Sequence, residues 1–474
     1  MEWTQLLSGE RVRKHTYKNQ NDYRSEFEKD YHRIIVSAAF RRLQDKTQVF
    51  PLDKSDFIRT RLTHSMEVSS IGKSFGKAVY HAILEKHPEA KITEAQAVEI
   101  GDVLLSAGLI HDIGNPPFGH FGENVIREWF DKKLTNNGLQ YNGKPVVEYL
   151  TPQMKADFLN FEGNAQALRV VTKLHSLVDA KGMNLTKSIL NTMIKYPVSS
   201  LEIDGKSGDI KSKKMGYFYA EEEVFWEIVK GTGAESNRFP LTYLLEAADD
   251  IAYRTADIED GFKKGRISFQ KLKYELENNK YKEHQGVEYE FLEHAILELE
   301  KRYQKGLEKK YHDAERYAVQ NWVIVVQRML IESATCSFAE HYEEIMAGTY
   351  KKDLFEGTKS CYLAKVLGDI AYEQVFQSSD ILKLEAASYR IITFLLDNFV
   401  DAALVFDTEH PKTQLQEKLM ELVSDTYKYI YRVYSEGKEE GEKVYLRLLL
   451  VTDFISGMTD HYAKTLYQEL NGFY

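Results

Sequence analysis

Two His-Asp dipeptides stand in this chain, in different surroundings. His111-Asp112 follows an apolar run, residues 100–110, and precedes the break Gly114-Asn115-Pro116-Pro117. Two ionisable groups at the end of a buried segment are costly unless they are paired or hold a metal ion. Adjacent residues do not share a helix face, but both can reach one ion where a helix ends. His312-Asp313 is surrounded by Lys309, Lys310, Glu315 and Arg316 and reads as a solvated helix face. His64, beside Arg59 and Arg61, begins the apolar face of another predicted helix. Asp249 lies inside the apolar stretch Leu244-Leu245-Glu246-Ala247-Ala248-Asp249-Asp250-Ile251. Singly, these two read equally well as a capping histidine and half of a solvated acidic pair. Together, His64, His111, Asp112 and Asp249 make a mixed N/O set. Such a set suits Mg²⁺, Mn²⁺, Fe²⁺ or Zn²⁺ and leaves positions for water and a phosphate oxygen. His120 and Glu123, three apart beyond the Pro-Pro turn, can face one side of a helix start. An imidazole there can protonate a leaving oxygen, and a carboxylate can orient it and raise its pKa. A buried histidine tied to a helix-start glutamate is the structural alternative. Tyr253 and Asp257 follow Asp249 at four-residue spacing, on roughly one helix face.

Helices must carry these residues. The chain has 474 residues, 43% hydrophobic and 28% charged, a globular balance that excludes disorder as the main state. Proline makes up only about 2% against a usual ~5%, which points to a mostly helical protein. Two cysteines, Cys336 and Cys361, cannot build a disulfide scaffold or a cysteine-based zinc site. The net charge of −10 argues against a generally basic nucleic-acid binder, while leaving room for a local patch. No basic-then-apolar leader opens the chain, and its longest apolar runs fall far short of the ~20 residues that span a bilayer. A cytoplasmic, membrane-free protein is expected. Periodicity predicts helices over 34–43, 63–84, 100–110, 164–177 and 241–256, and another from about 122. Charged surface helices follow over 262–316, then helices over 322–339, 382–406 and 445–469. The stretch 8–33 reads as a polar surface arm, 49–56 as a loop and 131–157 as a polar excursion. A short hairpin is expected from 198–203 and 215–219. The resulting division is an arm (1–33), a catalytic core (34–261, with insertions near 131–160 and 196–220) and a helical C-terminal region (262–474).

The order His64, His111-Asp112, Asp249 resembles the HD-domain phosphohydrolases. Longer blocks resemble the bacterial deoxyguanosinetriphosphate triphosphohydrolase family: residues 37–50, Arg59-Thr60-Arg61-Leu62-Thr63-His64-Ser65, residues 111–123, Phe161-Glu162-Gly163-Asn164-Ala165-Gln166, residues 241–253 and Ser456-Gly457-Met458-Thr459-Asp460. They extend over nearly the whole chain. The resemblance implies an all-α fold, an HD-domain core with a C-terminal helical bundle and at most a small β-hairpin. It implies metal-dependent hydrolysis of dGTP, and of other dNTPs to some degree, at the α-phosphorus. The products are a deoxynucleoside and inorganic triphosphate, and Mg²⁺ or Mn²⁺ is the expected ion. By the same resemblance His64, His111, Asp112 and Asp249 are the ligands, and His120 and Glu123 the catalytic pair. Arg61, Lys195 and Lys214 hold the phosphates. Tyr253 packs on the deoxyribose, where it leaves little room for a 2′-hydroxyl, and Asp257 accepts from the 3′-hydroxyl. Gln48, Val49 and Asn164 lie near sugar and base. Phe376, Glu385 and Arg447, from looser blocks, line the base pocket. Asn115 stands where some relatives carry another histidine. Members form homo-hexamers and some bind single-stranded DNA; here basic clusters are scattered (residues 11–14 and 211–214). Two other readings keep the fold: a nucleotide phosphohydrolase of broader or different specificity, and a non-catalytic module that binds nucleotide or single-stranded DNA.

Overall fold

Side-chain caps open the helices that matter most. The computed structural model describes residues 1–13, 21–50, 52, 58–175, 180–280, 289–377 and 379–473. A short α1 (Trp3–Leu6) precedes α2 (Glu26–Ile35), which Ser25 and Glu28 start with reciprocal bonds. The expected helix over 34–43 is broken, because Ser37 caps a separate α3 (Ala38–Arg42). Thr60 and Thr63 form the same kind of box at α4 (Arg61–Lys86), as do Thr93 and Gln96 at α5 (Glu94–Ile110). The expected surface arm is partly internal. Trp3 and Leu6 are buried, and buried Arg11 pairs with buried Asp30 at 2.5 Å. A carboxylate held out of water needs such a cation, which withdraws Arg11 from any basic surface patch. Most of the loop expected over 49–56 lies outside the described residues.

Beyond the Pro-Pro turn come α6 (Gly119–Thr135), α7 (Pro152–Leu159) and α8 (Gly163–Arg169), the last continued by a π-turn to Leu174. Then come α9 (Lys187–Met193), α10 (Glu222–Gly231) and α11 (Pro240–Lys263). The hairpin expected over 198–219 does not form. Gly216 N–H to Val198 C=O and Asp204 N–H to Ser212 C=O join its two limbs, but 3₁₀ turns and Ser/Gly-rich backbone stand where strands would have to pair. The only sheet among the described residues is β1 (Gln140–Tyr141) against β2 (Lys144–Pro145), inside the expected polar excursion. Asn142 and Gly143 close it with φ of 51° and 70°, the left-handed pair that a two-residue hairpin turn requires.

The rest is helical: α12 (Phe269–Lys280), α13 (Glu290–Glu308), α14 (Ala314–Glu340), α15 (Tyr342–Ala347), α16 (Cys361–Ala371), α17 (Ser379–Leu404), α18 (Gln414–Leu422), α19 (Asp425–Ser435), α20 (Glu440–Ser456) and α21 (Asp460–Leu470). Asp313 of the second His-Asp accepts from Arg316 N–H at the start of α14, so that dipeptide is a helix cap. Gly457 ends α20 and Thr459 caps α21, so 445–469 is two helices. No helix among the described residues is long and apolar enough to cross a membrane.

Two hydrophobic cores result. The first joins α2, α4, α5, α9–α14 and α16; the second joins α6, α7, the hairpin and α17–α21. The segment after the His-Asp dipeptide passes between them, with Ile113 in the first core and Phe118 in the second. On α8, Ala165 belongs to the second core and Ala167 to the first. The predicted chemistry therefore sits on a seam.

Candidate active site

Three helices converge on one cluster. His64 lies in the first turn of α4, His111 caps the end of α5, and Asp249 lies midway along α11. His64 Nε2 is 3.1 Å and His111 Nε2 3.4 Å from Asp249 Oδ1, and the two rings meet edge to face at 5.4 Å. One ligand atom from each lies within 4.8 Å of the others. His111 Nδ1–H donates to Gly108 C=O at 2.8 Å. Its Nε2 lone pair then faces Asp249 and, at 3.6 Å, Asp112 Oδ2, with no hydrogen-bond donor in reach. A buried lone pair facing two carboxylates is what a divalent cation would satisfy, so these residues fit a metal.

Asp112 stands at the edge of this triplet. Arg61 Nη1 donates to its Oδ2, and Asn115 Nδ2 to its Oδ1 at 2.8 Å. The asparagine that replaces a relative's histidine therefore orients a predicted ligand. Burial pushes both carboxylates up, but His111 and Arg61 outweigh it at Asp112, and Lys195 and His111 at Asp249; both end well below the usual range. Lys195 Nζ donates to Asp249 Oδ2 at 2.7 Å, which holds the ammonium above its ordinary range despite burial. Those same carboxylates raise the His111 pKa although burial works against it, so in the absence of a cation they favour a proton at the position an ion would take.

His120 and Glu123 form the second cluster. Phe118 and Gly119 both have positive φ, 64° and 60°, and turn the chain into α6. A side chain at Gly119 would lie 2.5 Å from Arg61 Nη2, so only glycine suits that left-handed position. His120 Nδ1 is 3.0 Å from Glu123 Oε2, with the imidazole 76% exposed and the carboxylate fully buried. Gly163 N–H holds the other oxygen, Oε1, at 2.9 Å. The hydrogen bond His120 donates to Glu123, and then the charge of that carboxylate, raise the His120 pKa above the ordinary value.

Sequence reading missed Glu162, although it lies inside a quoted block. Its carboxylate is 2.9 Å from Lys214 Nζ and accepts from Asn164 Nδ2 at 2.9 Å. Burial, reinforced by Glu123, raises its pKa. Its neighbours Phe161 and Gly163 draw it inward, the one signal in the sequence that pointed there.

Residues 61–193 match the HD domain family, and residues 362–469 the phosphohydrolase-associated domain. A Listeria monocytogenes deoxyguanosinetriphosphate triphosphohydrolase-like protein is 49% identical over the full length of both chains. A Synechocystis protein of the same description is 34% identical over 100% of this chain and 99% of its own. A Yersinia pestis protein described as a deoxyguanosinetriphosphate triphosphohydrolase is 32% identical over 94% of this chain and 93% of its own. The chain belongs to the deoxyguanosinetriphosphate triphosphohydrolase-like family of HD-domain proteins.

The other family-derived positions fall in different places. Gln48 and Val49 follow Thr47, which bridges to Thr60 at the start of α4; Val49 is buried, and Gln48 Oε1 is buried with no hydrogen-bond partner. Tyr253 is half-buried on α11, with the Arg254 guanidinium 5.2 Å from its ring centre. Burial, then Asp260, pushes the Asp257 carboxyl up to about 8. At neutral pH it keeps its proton and can donate to a hydroxyl as well as accept from one. Phe376 packs on the first core, and Glu385 is half-buried on α17. Arg447 lies on α20. It bonds Tyr431 OH at 3.1 Å and Glu440 at 3.0 Å, and lines a cleft of about 940 Å³ with Tyr141 and His410, which holds no other predicted site residue.

Proposed function

We propose that the protein hydrolyses 2′-deoxynucleoside triphosphates, dGTP foremost, to a deoxynucleoside and inorganic triphosphate. The observation that carries this reading is the stretch from His111 to Glu123. It links the metal-competent cluster, to which it contributes His111, to a carboxylate-tethered imidazole nine residues on, with Arg61 and Lys195 beside the cluster. Nucleotide hydrolysis is the chemistry named for its full-length relatives.

His64, His111, Asp112 and Asp249 would hold a divalent ion, Mg²⁺ or Mn²⁺ by expectation. Such an ion supplies Lewis-acid polarisation of a phosphate oxygen and an acidified water. Arg61 binds the α-phosphate, while Lys195 and Lys214 exchange their present carboxylates for the outer phosphates. His120, protonated on both nitrogens, gives the Nε2 proton to the departing 5′-oxygen. Glu123 keeps the Nδ1 proton and the ring's orientation. Tyr253 packs on the deoxyribose and crowds a 2′-hydroxyl; Asp257 bonds the 3′-hydroxyl. Gln48, Val49 and Asn164 line sugar and base, with Phe376 and Glu385 further out. A homo-hexamer and single-stranded DNA are the partners this kinship suggests, to be tested by light scattering and gel shift.

The deciding experiment incubates the purified protein with each dNTP and Mg²⁺ or Mn²⁺ and identifies the phosphate product. Triphosphate is expected; pyrophosphate, monophosphate or no turnover overturns the reading. On the same assay Tyr253→Ala should narrow the kcat/KM gap between dGTP and GTP. Asp257→Ala should narrow the gap between dGTP and 2′,3′-dideoxy-GTP, since a site that bonds a hydroxyl can reject its absence by up to ~10⁴. Equal losses on all three substrates would mean that α11 does not read the sugar.

A further inference from the structure

Asp460 opens α21, more than three hundred residues from the His-Asp dipeptide, and is 2% exposed. Its two oxygens accept from two backbone N–H groups, and neither donor is local. Phe118 N–H reaches Oδ1 at 2.9 Å and Thr47 N–H reaches Oδ2 at 3.0 Å. Phe118 lies two residues before His120, and Thr47 immediately precedes Gln48 and Val49. We propose that Asp460 is a positioning residue of the active site, through which the C-terminal helices set the geometry of both segments flanking the reacting centre.

Three features support this. As the residue that caps α6, Phe118 has no acceptor for its N–H within that helix. It also has φ of 64°, a conformation that a bulky residue keeps only when its surroundings over-determine it. The Asp460 carboxylate satisfies the first need and contributes to the second. Lastly, the turn just before Asp460 grips the same two segments again. Buried Lys46 donates to Asn115 C=O and to Ser456 C=O, each at 2.6 Å, and Arg42 Nη1 donates to Gly457 C=O at 2.8 Å. The side chains that orient Asp112 and His120 thus hang from a scaffold pinned to the α20–α21 turn. Asp460 touches no predicted ligand and no reacting group, so its action runs through Phe118 and Thr47.

This inference rests on the reading that His120 works in the cleft, and the test separates the two. Full-length Asp460→Asn and the more severe Asp460→Ala are compared with wild type. Hydrogen exchange by mass spectrometry follows peptides covering 46–50 and 112–123, elemental analysis follows Mn²⁺ content, and kcat and KM follow dNTP hydrolysis. The amide in Asp460→Asn keeps one acceptor and should loosen one segment more than the other. Both variants should exchange faster at these two peptides than in either core. They should keep their Mn²⁺ and lose kcat by about 10–100-fold with a smaller change in KM, as expected for ångström-scale misplacement of a catalytic group. Unchanged kcat, or exchange that rises equally throughout both cores, would overturn the proposal. If wild type hydrolyses no dNTP, the functional reading fails, and exchange at the two peptides alone decides whether Asp460 holds them.

Discussion

His120 and Glu123 divide one task between an exposed ring and a buried carboxylate. Glu123, fixed by Gly163 N–H, holds the imidazole above its ordinary pKa. As the acid, His120 must be protonated, so kcat should be level at low pH and fall as pH rises through that raised pKa. Glu123→Gln removes the charge, lowers the His120 pKa and should move this limb to lower pH; an unmoved limb assigns it to another group. His120→Ala should cost about 10²–10⁴ in kcat, the usual worth of a placed acid or base, with metal content intact. Asp249 behaves differently, because His64, His111 and Lys195 all point at it. Asp249→Ala should abolish both Mn²⁺ binding and turnover while circular dichroism stays helical. Full occupancy by elemental analysis in that variant would falsify the ligand assignment. Residue types alone suggested both groups. The partners that tune them, Asn115, Glu162 and Gly163, come from folding.

At the scale of elements, the start of α8 decides how closely the two clusters approach. A Cβ on Gly163 would overlap Asn115 Oδ1 and lie 2.5 Å from Glu123 Oε1. One glycine thus lets the asparagine that holds Asp112 and the glutamate that holds His120 sit against the same backbone. Gly163→Ala should therefore depress kcat strongly while thermal unfolding moves little, since the clash falls on two side chains and not on a core. A large fall in Tm with near-normal kcat would place the role of Gly163 in the fold instead. The caps at Thr60 and Thr93 involve residues only three apart, so their cause is local. The false hairpin over 198–219 and the real one at 140–145 have no such local cause. Strand pairing depends on what each limb meets across space, and two-residue strands leave almost no periodic pattern.

Across the whole molecule, buried charge ties the two cores together beside the site. Arg169, at the end of α8, donates to Asp453 of α20 at 2.8 and 2.7 Å and to Glu221 at 2.7 Å, all three side chains being nearly inaccessible. Removing one member of such a set leaves uncompensated charge in low dielectric, at about 3–5 kcal/mol. Arg169→Ala should lose that much stability in urea, and unfolding should begin at the contact between α8 and α20. An unchanged midpoint would show that apolar packing alone holds the seam.

Composition and periodicity by themselves determined that this chain is helical. The blocks around His64, His111-Asp112 and Asp249 determined its family, because residue types at fixed spacing survive without any knowledge of packing. Only tertiary structure decided that Asp112 is held by Arg61 and Asn115, that Arg11 is buried on Asp30, and that Arg447 lines a cleft with Tyr141 and His410. It also decided that Asp460 reaches back to Phe118 and Thr47. Asp112 and Arg61 are 51 positions apart, and Asp460 lies 342 and 413 positions from Phe118 and Thr47; even the short-range pairs, Asp112 with Asn115 and Arg11 with Asp30, meet only because the fold buries them. Each partner is a polar or charged group whose need for compensation appears only once burial removes it from water.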